Sequence, residues 1–115
     1  MKRKSIAPDA PPEVAEASLY AALLTLRNEA ELQAFFHDLC TPAELEALRD
    51  RWRVVPFLAR DVPYREIHAH TAVSVTTIGS VARCLQMGEG GYRLAAERLG
   101  WLKPAATPSK TRKTR

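Results

Sequence analysis

The stretch Pro63-Tyr64-Arg65-Glu66-Ile67-His68-Ala69-His70-Thr71-Ala72-Val73-Ser74-Val75-Thr76-Thr77-Ile78-Gly79-Ser80-Val81-Ala82-Arg83-Cys84-Leu85 decides the fold. Its apolar residues are spaced for two short helices that meet at a steep angle across a turn. Ile67 is the inward residue of the first helix, Val73 that of the turn, and Ile78 and Val81 those of the second. Ser74 stands where a cap is needed, because its hydroxyl can accept an amide proton from the first turn that follows. The pattern predicts a helix-turn-helix over residues 63–85, whose second helix can enter the major groove of double-stranded DNA. On that reading Val75, Thr76, Thr77, Gly79 and Ser80 face outward as candidate base or water-mediated contacts. Arg65 and Arg83 flank them as candidate phosphate contacts. These outward positions hold no Arg, Asn or Gln, so bidentate reading of guanine or adenine is absent and modest specificity through shape and water is expected. The plainer alternative is a solvated hydroxyl face.

Upstream of this unit the chain reads as consecutive helices. Residues 12–27 put Val14, Leu19, Leu23 and Leu26 on one stripe, with Pro12 near the start, where its missing N–H is harmless. Residues 29–39 align Leu32, Phe35, Phe36 and Leu39 after Asn28 as a cap. Thr41-Pro42-Ala43-Glu44 spells a capping box and opens a helix carrying Leu45, Leu48, Trp52, Val55 and Leu58 or Ala59. Pro56 falls inside that pattern and should bend or shorten the helix. Downstream, Gly88-Glu89-Gly90-Gly91 reads as a hinge to a last helix, Tyr92–Leu99, with Leu94, Leu99 and Trp101 available to dock on the core. The glycines lack the strand and the Lys-Ser/Thr of a phosphate loop.

Of 115 residues, 17 are Lys or Arg and 13 are Asp or Glu, a formal net charge of +4. The excess lies in two Pro-bearing segments, 1–12 and 103–115, which read as disordered tails holding eight of the basic groups. Residues 13–102 keep nine basic groups, all Arg, against twelve acids, a net of −3. Within them, residues 13–50 hold two basic and eight acidic groups, and residues 51–102 hold seven and four. Only the second half has the sign that suits phosphates. The basic tail 103–115 can add non-specific phosphate contacts or remain a solvated end. No stretch approaches the roughly 20 apolar residues of a membrane span, and Met1–Ser5 lacks the apolar run of a secretory signal. Cys40 and Cys84 lack metal-ligand spacing and read as buried reduced thiols. A cytoplasmic bacterial protein fits all of this.

From about Leu19 to Leu99 the sequence resembles the Trp-repressor-related proteins of the YerC/YecD family. The resemblance rests on Phe35-Phe36-His37-Asp38-Leu39-Cys40-Thr41-Pro42-Ala43-Glu44-Leu45, Asp50-Arg51-Trp52-Arg53-Val54, Pro63–Ile67, Val81–Leu85 and Gly88–Leu94. It implies an all-α, Trp-repressor-like domain over residues 13–102, an intertwined homodimer, and two helix-turn-helix heads that meet DNA as a transcriptional regulator. Three positions depart from the family's pattern. Ala72 replaces the usual turn glycine, and a left-handed backbone there would cost Ala on the order of 1 kcal/mol relative to Gly. His68 replaces a small alanine, so its imidazole must find room where the two helices approach. In Trp repressors two arginines clamp the corepressor. Alignment on Thr41-Pro42 puts Arg51 at the first, as a candidate ligand contact, and Ser80 at the second. Serine cannot offer a planar bidentate donor, which argues against tryptophan as corepressor and leaves any effector unknown. Arg51 is then expected to form a salt bridge, for instance to Glu44 or Glu46 of a second copy.

Other constellations are weaker. His68 and His70 are two apart on a helix and point to different faces. His37 and Cys40 could share an ion, but no third ligand follows at a fixed spacing. No cofactor is expected, and nothing points to an enzyme. Two rivals stand beside the regulator. One is a protein-interaction module that keeps the dimer scaffold but has lost most DNA binding, with the acidic first half as its partner surface. The other is a sigma-factor-like region, since Thr-Pro-x-Glu-Leu before a helix-turn-helix also occurs there. The long apolar helices of residues 14–39 argue against the second.

Overall fold

The computed structural model describes residues 9–104, which form seven helices and no strand. The expected tails therefore lie mostly outside the described residues. Cα packing divides the chain after Leu45 into two compact units.

The first unit holds α1 (Pro12–Leu24) and α2 (Glu29–Leu39). Pro12 sits in the first turn of α1, as its φ and missing donor favour. The helix is shorter than the expected 12–27. Thr25 closes it, its Oγ1 donating to the Ala22 carbonyl at 2.7 Å and its amide turning back on the last turn. Tyr20 donates its hydroxyl to the Glu16 carboxylate one turn earlier, which raises the phenol's pKa above its ordinary value. Asn28 caps α2 as expected, its Oδ1 accepting from the Glu31 amide at 3.0 Å. Glu31 returns the favour one residue further out, accepting from the Arg27 amide at 2.9 Å. Phe35 and Phe36 meet edge to face with centroids 6.1 Å apart. Nevertheless no residue of α1 or α2 is buried, and Leu24 is 86% exposed.

The chain passes between the units inside α3 (Pro42–Arg53). Its capping box is formed on both sides: Glu44 N–H donates to Thr41 Oγ1 at 3.1 Å, and Thr41 N–H donates to Glu44 Oε1 at 2.8 Å. The helix does not run through Pro56. It stops at Arg53, and a separate short helix, α4 (Val55–Ala59), begins with the proline in its first turn, where no amide is required.

The second unit continues with α5 (Tyr64–Thr71), α6 (Val75–Met87) and α7 (Gly91–Arg98). Its core is Val54, Val55, Ile67, Val73, Ile78, Val81 and Ala96, so all four inward positions of the helix-turn-helix are buried. α6 packs on α4, α5 and α7. Trp52 closes one side against Trp101 and Tyr92, with ring centroids 5.3 and 6.0 Å away. Trp101 thus docks as expected, but Leu94 and Leu99 do not: both remain about half exposed, and Ala96 is the α7 residue that reaches the core. The reason is phase, since the α7 stripe on the core runs through Tyr92 and Ala96, one turn apart, and Leu94 lies off it. The thiols also differ from expectation. Cys40 is only half-buried and Cys84 is exposed, because Val81 and Ala82 take the inward face of α6. None of the described helices is long and apolar enough to cross a membrane.

Candidate nucleic-acid interface

The turn of the helix-turn-helix is built by side chains as much as by backbone. Ala72 closes α5 in the left-handed conformation, φ 64°, with its amide on the His68 carbonyl at 2.8 Å. This is the geometry a glycine would adopt freely, and Ala holds it with a Cβ in a disfavoured position. Thr71 Oγ1 donates to the Ile67 carbonyl at 2.7 Å and accepts from the Val73 amide at 3.1 Å. His68 lies not between the helices but outside them, with Nδ1 2.8 Å from the Val73 carbonyl oxygen. A carbonyl can only accept, so Nδ1 carries the proton. The expected crowding at His68 is therefore corrected: the imidazole is exposed and bonds the turn.

Ser74 then starts α6. Its Oγ accepts from the Thr77 amide at 3.1 Å and donates to Thr77 Oγ1 at 3.1 Å. With Ile78, Val81 and Ala82 buried, helical geometry turns Thr76, Ser80, Arg83 and Met87 directly away from the core, and each is exposed. Met87 extends this stripe, and the spacing 76-80-83-87 could have shown it. Arg65 is likewise opposite the buried Ile67 on α5 and exposed. Val75 is exposed at the flank of α6. Gly79 is half-buried, and a Cβ added there would stand 4.0 Å from the Tyr64 ring, so this position faces α5 more than the outside. Thr77 is half-buried as well, its hydroxyl tied to the cap. The structure thus gathers Thr76, Ser80 and Arg83 on one outward face and sets Thr77 and Gly79 on its sides.

A cleft of about 420 Å³ opens beside this face. Ala47, Asp50 and Arg51 of α3 form one wall, and the turn residues Ala72–Ser74 with Thr76, Thr77 and Ser80 form the other. Arg51 and Ser80, paired by alignment alone in the sequence, do line the same space. Arg51 makes no ion pair among the described residues. Asp50 shares its wall and lies 3.9 Å from Arg53. Behind the turn, Phe57 of α4 stacks on His70 of α5 at 5.9 Å, and the Arg60 guanidinium lies 5.3 Å above the same ring. The sequence reading missed Thr71, Asp50 and this stack. A threonine ending a helix before a left-handed residue signals the first, because its hydroxyl can serve the turn. The others need tertiary contact. Among the described residues no group of His, Cys, Asp and Glu could hold a metal ion.

Comparison with known proteins matches residues 16–100 to the family described as Trp repressor protein. The Bacillus subtilis protein YerC, itself uncharacterised, is 36% identical over 81 residues, which are 70% of this chain and 78% of YerC. The solved structure of a TrpR like protein from Eubacterium eligens superposes with a TM-score of 0.73 at 36% identity, covering 79% of this chain and 94% of that one. A second solved structure, from Staphylococcus aureus, gives 0.71 at 34% identity, covering 76% and 87%.

Proposed function

This chain belongs to the Trp repressor family, and from that premise we propose that it binds double-stranded DNA as a homodimer and regulates transcription without tryptophan as its corepressor. The family is one of regulators rather than enzymes. The observation that carries the reading is α6 itself: capped by Ser74, held on a buried Ile67–Val73–Ile78–Val81 core, and presenting Thr76, Ser80 and Arg83 outward. An N-terminal turn of short hydroxyl residues can approach base edges and bound water closely, and Arg65 and Arg83 supply the phosphate contacts that fix its register.

The dimer is supported by the first unit. Leu19, Leu23, Phe35 and Phe36 are only partly covered, Leu24 and Leu39 are exposed, and a second copy of this chain is the occupant the family implies. The absence of a tryptophan switch is supported by the cleft. An amino-acid carboxylate would meet one guanidinium, Arg51, and beside it the Asp50 carboxylate, with a neutral Ser80 opposite. Selection of bound sequences from a random duplex pool tests the proposal. The expected outcome is enrichment of a two-fold symmetric site, unchanged by added tryptophan. A pool that returns unenriched, from protein shown to be dimeric, would sink it in favour of the protein-interaction module.

A further inference from the structure

We propose that His68 is a positioning residue for the recognition helix, holding the Val73 carbonyl so that Ser74 and α6 start in one fixed direction. The residue grips the left-handed Ala72 from both sides. Its main-chain carbonyl accepts the Ala72 amide at 2.8 Å, and its ring Nδ1 donates to the carbonyl of Val73 at 2.8 Å. That second oxygen belongs to no helix. The bonding of α6 begins one residue later, where the Ser74 carbonyl accepts from Ile78 at 2.9 Å, and Ser74 Oγ accepts from Thr77. Without the ring bond, the Val73–Ser74 peptide plane would be placed only by the buried Val73 side chain, since the Val73 amide on Thr71 Oγ1 belongs to the preceding plane. The ring bond holds that plane by its carbonyl oxygen. The backbone direction into the cap, and hence the aim of Thr76 and Ser80, follows from it.

The arrangement is specific in its chemistry. The bond needs hydrogen on Nδ1, which of the two neutral tautomers only the Nδ1–H form supplies. The imidazole is exposed, so replacing it opens no cavity in the core. Asparagine carries an amide nitrogen the same number of bonds from Cα as Nδ1, and phenylalanine keeps the ring without the donor.

The DNA-binding part of this inference rests on the function proposed above, so the test includes readouts that need no DNA. On the isotope-labelled full chain in mildly alkaline buffer, long-range ring correlations should show the Nδ1–H tautomer. The Nε2–H tautomer would overturn the proposal. His68→Phe should speed exchange of the Val73 and Thr77 amides about fivefold and weaken binding to a pool-selected duplex by a similar factor, with His68→Asn within about twofold of the unaltered chain. If both variants match the unaltered chain, or both lose equally, the donor does nothing and the proposal falls. If the unaltered chain selects no duplex but shows the tautomer and the Phe-specific exchange, the regulator reading fails and the positioning of the turn is upheld.

Discussion

At the scale of single residues, Ala72 and its neighbours set the quality of the recognition unit. A left-handed Ala costs about 1 kcal/mol against Gly. Each side-chain bond around it, from His68 and from Thr71 to either side, contributes about 1 kcal/mol net. The sum of those bonds exceeds the strain, so the departure at 72 is compensated locally by the departure at 68. Ala72→Gly should therefore raise stability in urea unfolding by about 0.5–1 kcal/mol while leaving duplex affinity within a factor of about two, since the bonds that aim α6 remain. A loss of stability would mean that the turn relaxes in solution to a different geometry. Local signals were legible here. Asn28, Thr41 with Glu44, and Ser74 all cap where short-range side-chain chemistry placed them, and Ala72 is left-handed as the motif required. His68 was not, because an imidazole's role depends on which carbonyl lies within its reach, and that is decided by the angle of the turn.

At the scale of elements, periodicity found every helix except the separate α4 but misjudged edges and phases. Of the two outcomes expected of Pro56, bending or shortening, the helix is shortened, and the proline opens a further one, since it fits a first turn at no loss of a bond. Leu94 and Leu99 looked like docking residues only because a short helix with two leucines offers more than one phase. Gly88 joins α6 to α7. A Cβ there would come 2.5 Å from the Cys84 carbonyl oxygen, a backbone atom that cannot step aside, whereas a Cβ at Gly91 meets nothing within 4 Å. Gly88→Ala should thus lose about 1–3 kcal/mol and detach α7, seen as altered fluorescence of the Trp52–Trp101 pair. Gly91→Ala should match or slightly exceed the unaltered chain, because Ala suits a helix start better than Gly. Equal behaviour of the two variants would show that the junction is not as close as the structure draws it.

At the scale of the whole molecule, charge and apolar surface are unevenly divided along the chain. Residues 51–102 carry seven basic groups against four acidic, and residues 13–50 carry two against eight. The first half buries no residue of α1, α2 or α3, which is a poor monomer and a natural half of a dimer. Sedimentation of the full chain should give twice its 12.8 kDa mass, and Phe36→Glu should dissociate it or prevent folding. A stable monomer would remove the symmetric-site expectation. The fold class was open to sequence reading because it needs only helical spacing and caps. The site was open in part, since Arg65, Thr76, Ser80 and Arg83 follow from the phase of Ile67, Ile78 and Val81. The cleft was not, because Asp50 and Arg51 meet α6 only through tertiary packing.

The claim that the helix-turn-helix itself binds DNA, rather than the basic segment after residue 103, is tested most directly by a salt series on a pool-selected duplex. The full chain is compared with its Arg65→Ala/Arg83→Ala double variant. In a symmetric dimer each substitution removes two phosphate contacts, so the slope of log affinity against log salt should become shallower by about 3–4, with binding weakened about equally across sequences. An unchanged slope in a folded, dimeric double variant would contradict the account.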